Sequence, residues 1–169
     1  MYRPTLLLIL FVLANVFGSV IYAQDDNCAQ DCTTPSYGLT ASELAEIEDR
    51  MERFEFIFDL ADDVPELPLE AWSDDNRVKG CQSQAHLEVS LENDRVLLRG
   101  GADARLVQGL MGLLALGMHD QPLAVARAMT VDHIKEAGVL NSLTPSRSNG
   151  VRTMFDMITQ RLEAMSDGE

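Results

Sequence analysis

Apolar positions along this chain follow three different patterns. The first stretch has no period: Thr5 to Ala23 runs without a charge, behind Arg3 and directly ahead of Asp25 and Asp26. In the second, Leu44, Ile47, Met51, Phe54, Ile57 and Phe58 recur at helical spacing. Thr40 and Glu43 have the spacing of a capping box, and Leu39 and Leu44 that of a hydrophobic staple, so a helix is expected to begin at Thr40. Pro65 and Pro68 forbid its continuation, because proline has no N–H to donate and its ring collides with the preceding turn. The third stretch has period two: Leu87, Val89 and Leu91 alternate with His86, Glu88 and Ser90. That pattern predicts a strand with one buried face and with His86 on its solvent side.

Asn93-Asp94 suits a tight turn, after which Arg95 to Arg99 forms the returning strand. Arg77 to Lys79 is expected as a short first strand, which leaves Gly80-Cys81-Gln82-Ser83 as the turn between strands. Everything beyond is helical. Asp103 is placed to cap a helix running through Leu106, Val107, Leu110, Met111, Leu113 and Leu114, apolar over most of its circumference and therefore expected at the centre. Pro122 opens a short helix through Ala128, and another around Asp132 to Ala137 stops at Gly138. Val151, Met154, Phe155, Ile158, Leu162 and Met165 mark the last helix, ending near Gly168. The methionines at 111, 118, 154, 157 and 165 fill core space in this pattern rather than form a metal box. The fold class is α+β: a small antiparallel sheet of about three strands flanked by helices, preceded by an N-terminal hydrophobic segment.

Residues 1–23 are expected to be a signal peptide or membrane anchor, residues 24–39 a polar linker, and residues 40–169 the folded domain. Arg3, the one basic residue ahead of the apolar run, would place the remainder outside the cytoplasm, with a membrane tether through residues 5–23 if the segment is not cleaved. Thirteen Lys and Arg against 27 Asp and Glu give a net charge of −14. A nucleic-acid partner is therefore not expected, since neutralising phosphates requires a basic surface.

Cys28, Cys32 and Cys81 are an odd set, so at least one is unpaired within the chain. Cys28 and Cys32 lie in the polar segment, where a local disulfide and a pair of exposed thiols both stay open. No second cysteine pair or histidine cluster completes a metal site; His86, His119 and His133 are scattered. Cys81 draws interest because it follows Gly80, has polar neighbours Gln82, Ser83 and Gln84, and has Arg77 and Lys79 close by in sequence. Positive charge favours the thiolate, the nucleophilic form, and a loop gives access to it. By residue type alone, a buried structural cysteine is the competing reading.

Asn76-Arg-Val-Lys-Gly-Cys-Gln-Ser-Gln84 resembles the cysteine motif of the SufE family of iron–sulfur assembly proteins. Gly101-Ala-Asp-Ala-Arg-Leu-Val-Gln-Gly109 is similar to that family's entry into its central helix, and Leu143-Thr-Pro-Ser-Arg-Ser-Asn-Gly150 to its C-terminal signature. Phe54 to Pro68 is similar to its first helix and Pro-Leu turn, so the resemblance spans residues 42–165 in order. It implies that Cys81 accepts sulfane sulfur from a cysteine desulfurase as a persulfide and passes it to an iron–sulfur scaffold. It also implies stimulation of the desulfurase, without metal or organic cofactor.

Asp103 and Arg147 match further recurrent family positions. A helix cap is expected of Asp103, and Arg147 is expected to brace the Cys81 loop through its planar fork of donors. Gln82, Ser83 and Gln84 are expected to shape that loop and the partner surface. His86 departs from the family, which usually has a large aromatic residue there. The resemblance implies cytoplasm or an organelle, in conflict with the apolar run. Two other functions stay open: a non-catalytic module that only docks a partner, and an exported redox protein using Cys28 and Cys32.

Overall fold

Leu-rich, nearly all-apolar segments must be surrounded, and here the other elements are arranged around one of them. The computed structural model describes residues 35–81 and 83–166. The apolar run, Cys28, Cys32 and Gln82 lie outside the described residues. Among those described, no helix is long and apolar enough to cross a membrane. The helices are α1 (Pro35–Glu46), α2 (Arg50–Asp59), α3 (Arg105–Met118), α4 (Leu123–Ala128), α5 (Val131–Glu136), α6 (Val139–Ser142) and α7 (Pro145–Ser166). Strands β1 (Ala85–Glu92) and β2 (Arg95–Ala102) form an antiparallel hairpin between α2 and α3. The α+β class is as expected, but the sheet has two strands rather than about three.

Helix α3 is the hub. Leu106, Val107, Leu110, Met111, Leu113, Leu114, Ala115 and Met118 are all buried; Arg105 is exposed at its start, and Gln108 and Leu116 are half-buried. Each large side chain removed from water in this way contributes about 1.5–3 kcal/mol. Packing against α3 comes from α1, α2 and the following 3-10 turn Leu60–Asp62, from β2, and from α4 and α7. The approach of α2 is unusually close. A Cβ on Gly109 would stand 1.8 Å from the carbonyl oxygen of Ile57, and one on Gly112 1.8 Å from that of Leu60. The two glycines, three apart on one face of α3, form a notch into which the α2 backbone settles.

The first helical segment is divided. Pro35–Glu46 is continuous through Thr40, so the expected capping box does not form; Thr40 is an interior helix residue. The interruption comes at Ile47–Asp49, where the Asp49 side chain accepts the N–H groups of Met51 at 2.8 Å and Glu52 at 2.9 Å and starts α2. Aspartate competes for backbone donors in this way, which favours a cap over a continuous helix. Arg53 then bridges the gap, donating to the Ile47 carbonyl and the Ser142 hydroxyl. Two boundaries further on also differ. Ala104, without a side-chain cap, precedes α3 where Asp103 was expected to do so, and α7 begins at Pro145, ahead of Val151, the first apolar position of its pattern.

The hairpin turn is as expected. Asn93 and Asp94 take φ of 51° and 62°, the left-handed pair that lets a two-residue turn follow the twist of its strands. The outer edge of β2 is covered: Pro65 accepts from Gly100 at 2.9 Å, His119 Nδ1 from Leu98 at 3.1 Å, and Gln121 from Val96 at 2.8 Å. Surface ion pairs add locally. A hydrogen bond from Arg105, and then its charge, hold the Asp62 carboxyl below the usual carboxylate range, at 3.0 Å.

The notch makes a direct prediction. Gly109→Ala gains the usual helix-propensity advantage of about 1 kcal/mol. The methyl group's collision with the Ile57 carbonyl outweighs it, so the variant is expected to lose about 3 kcal/mol net in urea unfolding at unchanged m-value.

Candidate functional site

The segment from Asn76 to Leu87 folds back on itself. Val78 donates to the Ala85 carbonyl at 2.8 Å, and Leu87 donates to that of Asn76 at 2.8 Å. These bonds make Arg77 an isolated antiparallel bridge to His86. The ladder stops there, so the expected first strand is reduced to a single bridge pair. Between the arms runs the loop from Lys79 to Gln84, and Cys81 is on it. Gly80, directly before the cysteine, has φ of +82°, a region that a side chain would strain. Beyond the loop, the Asp103 N–H donates to the Gln84 carbonyl at 3.0 Å.

A buried polar clamp fixes the base of this loop. Asn76 Oδ1 accepts the Ser73 N–H at 2.9 Å, and its Nδ2 donates to the Ala71 carbonyl at 2.8 Å. The same Oδ1 lies 2.8 Å from His86 Nδ1. An amide nitrogen of the backbone can only donate, so the atom facing Ser73 is the oxygen, and His86 therefore presents Nδ1–H to it. His86 also stacks on Trp72, with ring centroids 4.4 Å apart and planes 22° from parallel. Trp72 Nε1 donates to the Leu67 carbonyl at 2.9 Å. The expectation of a solvent-facing His86 is thus corrected. Both faces of β1 are covered at its start, because the Leu67–Trp72 connection lies over the side that alternation alone assigned to water.

On the other side of the loop stands α7. Gly150 is buried there, and a Cβ on it would lie 3.3 Å from Cys81 Sγ. The thiol is half-buried against this helix and the edge of the core. Arg161 donates to the Asp75 carbonyl at 2.6 Å and ties α7 to the approach of the loop, while Ser148 Oγ donates to the Leu140 carbonyl at 3.1 Å and ties the first turn of α7 to α6. Arg147 is exposed one turn before Gly150, and its guanidinium makes no hydrogen bond to the loop among the described residues. Arg77 and Lys79 share a cleft of about 500 Å³ with Thr153, Asp156 and Gln160 of α7. Gln84 and Asp103 lie instead on a larger groove with Leu69, Trp72, Arg105 and Gln108, in which Leu69 is 69% exposed.

The arrangement offers one nucleophilic side chain, on a loop held at its base and backed by a helix. No group of three metal-binding side chains occurs among the described residues. The profile of the SufE family, described as an Fe-S metabolism associated domain, matches residues 39–162. The chain belongs to the SufE family. An uncharacterized SufE-like protein of Synechocystis is 37% identical over 94 residues, which cover 56% of this chain and 59% of that protein. A second uncharacterized SufE-like protein, from Rhizobium meliloti, is 26% identical over 126 residues, covering 72% of this chain and 90% of the relative. The solution structure of a hypothetical protein from Thermus thermophilus superposes with a TM-score of 0.67 at 18% identity, over 78% of this chain and 96% of that one. That likeness is one of fold.

Within this SufE-family fold the three sequence motifs converge, although 69 residues separate Cys81 from Gly150. Arg77, Lys79, Gly80, Ser83 and Gln84 flank the thiol along the chain, the Asp103 N–H is bonded to the end of the loop at the Gln84 carbonyl, and Arg147 stands one helical turn before Gly150 on α7. The sequence did not disclose the Asn76–His86 hydrogen bond, the Trp72 stack or the Gly150 contact. One signal was present for the last: a glycine inside a helical pattern is costly and commonly marks a close neighbour.

If the clamp fixes the loop, Asn76→Leu leaves the Ser73 N–H, the Ala71 carbonyl and His86 Nδ1–H without partners. Its expected cost is about 3 kcal/mol, measured by urea unfolding, together with several-fold faster alkylation of Cys81 by iodoacetamide.

Proposed function

We propose that this chain is a sulfur acceptor that works with a cysteine desulfurase, with Cys81 as the receiving thiol. The observation that carries the reading is the placement of Cys81: half-buried, after a left-handed glycine, on a loop held by a buried clamp, in a chain of a family associated with Fe-S metabolism. A purely structural cysteine has no need of a loop built in this way.

The chemistry is thiol–disulfide exchange. The Cys81 thiol first gives its proton to solvent. Its thiolate attacks the outer sulfur of the donor's cysteine persulfide, a new S–S bond forms, the donor's own S–S bond breaks, and the donor cysteine leaves as a thiolate. Cys81 then carries the persulfide, with no net oxidation or reduction. Sulfur moves between thiols, so neither metal nor organic cofactor enters the step. An iron–sulfur scaffold is the proposed recipient, and removal of sulfur from the donor stimulates its turnover.

In this reading Arg77, Lys79, Ser83 and Gln84 form the rim that the donor meets, and Gln82 completes the loop. Arg147 and Asp103 support it from α7 and from the start of α3. A docking module without chemistry is the second reading, favoured by the open groove with its exposed Leu69 beside Gln84.

Incubation with a purified cysteine desulfurase and free cysteine is expected to add one sulfur to the Cys81 peptide, read by mass spectrometry, and none to a Cys81→Ser variant. Desulfurase binding that is unchanged in Cys81→Ser, with no added sulfur on the parent protein, would favour the docking module.

A further inference from the structure

Gly150 lies within α7, where alanine is the better helix former. Its backbone faces the reactive atom. A methyl group at this position would be 3.3 Å from Cys81 Sγ and 3.9 Å from Cys81 Cβ, so the sulfur would have to give way by a few tenths of an ångström. Beyond its own helix, Cys81 is the one residue among those described with an atom within 4 Å of that methyl group. Among the described residues, the side chain that faces the space left by the missing Cβ is that of Cys81.

We propose that Gly150 is the seat of the Cys81 sulfur, a positioning residue that makes a persulfide on Cys81 react at its outer atom. The inference rests on Cys81 being the acceptor thiol. With Sγ close to the α7 backbone at Gly150, an added sulfur in this proposal points to the side away from the helix. Displacement at sulfur is in line: the nucleophile approaches opposite the bond that breaks. Attack on the outer sulfur is open from the solvent side. It forms a new S–S bond to the recipient thiol, breaks the Cys81 persulfide bond and releases the Cys81 thiolate, which is productive transfer. Attack on the inner sulfur would have to come from the rear, where the helix stands. That reaction would join the recipient to Cys81 as a mixed disulfide and expel hydrosulfide, losing the cargo. The seat thus sets which of two sulfurs is attacked, a selectivity that loop exposure alone does not supply.

The test is Gly150→Ala in the full chain, loaded with sulfur by a cysteine desulfurase and challenged with 2-mercaptoethanol. Mass spectrometry separates regenerated Cys81 thiol from the mixed disulfide of Cys81 with mercaptoethanol. The parent protein is expected to return mainly thiol, and Gly150→Ala to raise the mixed-disulfide fraction at least threefold. Iodoacetamide alkylation of the unloaded thiol is expected to speed up by a similar factor, because Sγ is lifted from the helix. A structural role alone would not move the product ratio. A thermal-stability cycle with Cys81→Ala guards against a folding artefact: Gly150→Ala should raise Tm more when the sulfur is absent than when it is present. Equal product ratios, equal alkylation rates and no coupling in the cycle would overturn the seat. Failure to load any sulfur on the parent, with alkylation and coupling as expected, would instead remove the acceptor reading and leave the contact standing.

Discussion

At Gly109 and Gly112, α3 receives the carbonyl oxygens of Ile57 and Leu60 at distances where any side chain would collide. Close backbone approach of this kind sets the spacing of the two helices by hard repulsion, and hard repulsion rises steeply over a few tenths of an ångström. A core of leucine and methionine could otherwise accommodate several spacings. The notch selects one of them. With α2 held at that depth, Ile57, Leu60 and Val64 reach the same buried cluster as Leu110, Met111 and Leu114.

The position of the reactive loop follows from that hub through a short chain of contacts. β2 packs on α3, β1 is registered on β2 from Ala85–Ala102 to Glu92–Arg95, and the arm carrying Asn76 and Val78 is bonded to the start of β1. Each link is a backbone hydrogen bond or a buried contact, so the base of the Cys81 loop inherits the rigidity of the core. α7 reaches the loop by an independent route, through its packing on β1 and the Arg161 bond to the Asp75 carbonyl. Cys81 is where the two routes meet. Charge is distributed less evenly: residues 43–75 hold thirteen Asp and Glu, all exposed, against two Arg. At an ionic strength near 0.15 M such charges act over about 8 Å, and two of them, Asp74 and Asp75, line the same cleft as Arg77 and Lys79 beside the loop.

How much the sequence disclosed depends on whether a feature is local. The period-two pattern placed the hairpin, and Asn93-Asp94 placed its turn, because pleat and turn are properties of adjacent residues. The apolar circumference of the segment after Asp103 marked the central helix for the same reason. Thr40 and Asp49 show the limit. Both are of a type that caps helices, but Thr40 lies inside α1 and Asp49 caps α2, where Arg53 reaches back to Ile47. His86 failed for a different reason. Alternation along β1 states which side of the strand it faces, but a connection far away in sequence, Leu67–Trp72, determines whether that side is wet. Cys81, Asp103 and Arg147 were singled out through family motifs, whereas Gly150, which faces Cys81 Sγ, contributes no side chain by which to single it out.

That last point bears on what the loop is for. Helix stability alone would replace Gly150 by alanine, and a Cβ on Gly80 would meet no described residue within 4 Å, while its backbone angle requires glycine there. Neither glycine fills the core or closes a helix. The first leaves room for the Cys81 sulfur, and the second turns the chain immediately before it. A docking surface would be served equally well by a serine or alanine in place of Cys81 and by a stiffer loop. A thiol that must take on one further sulfur atom, hold it in a fixed direction and release it to a second thiol has a use for both glycines. It is this geometry around a single atom, more than exposure of the cysteine, that supports sulfur acceptance over docking.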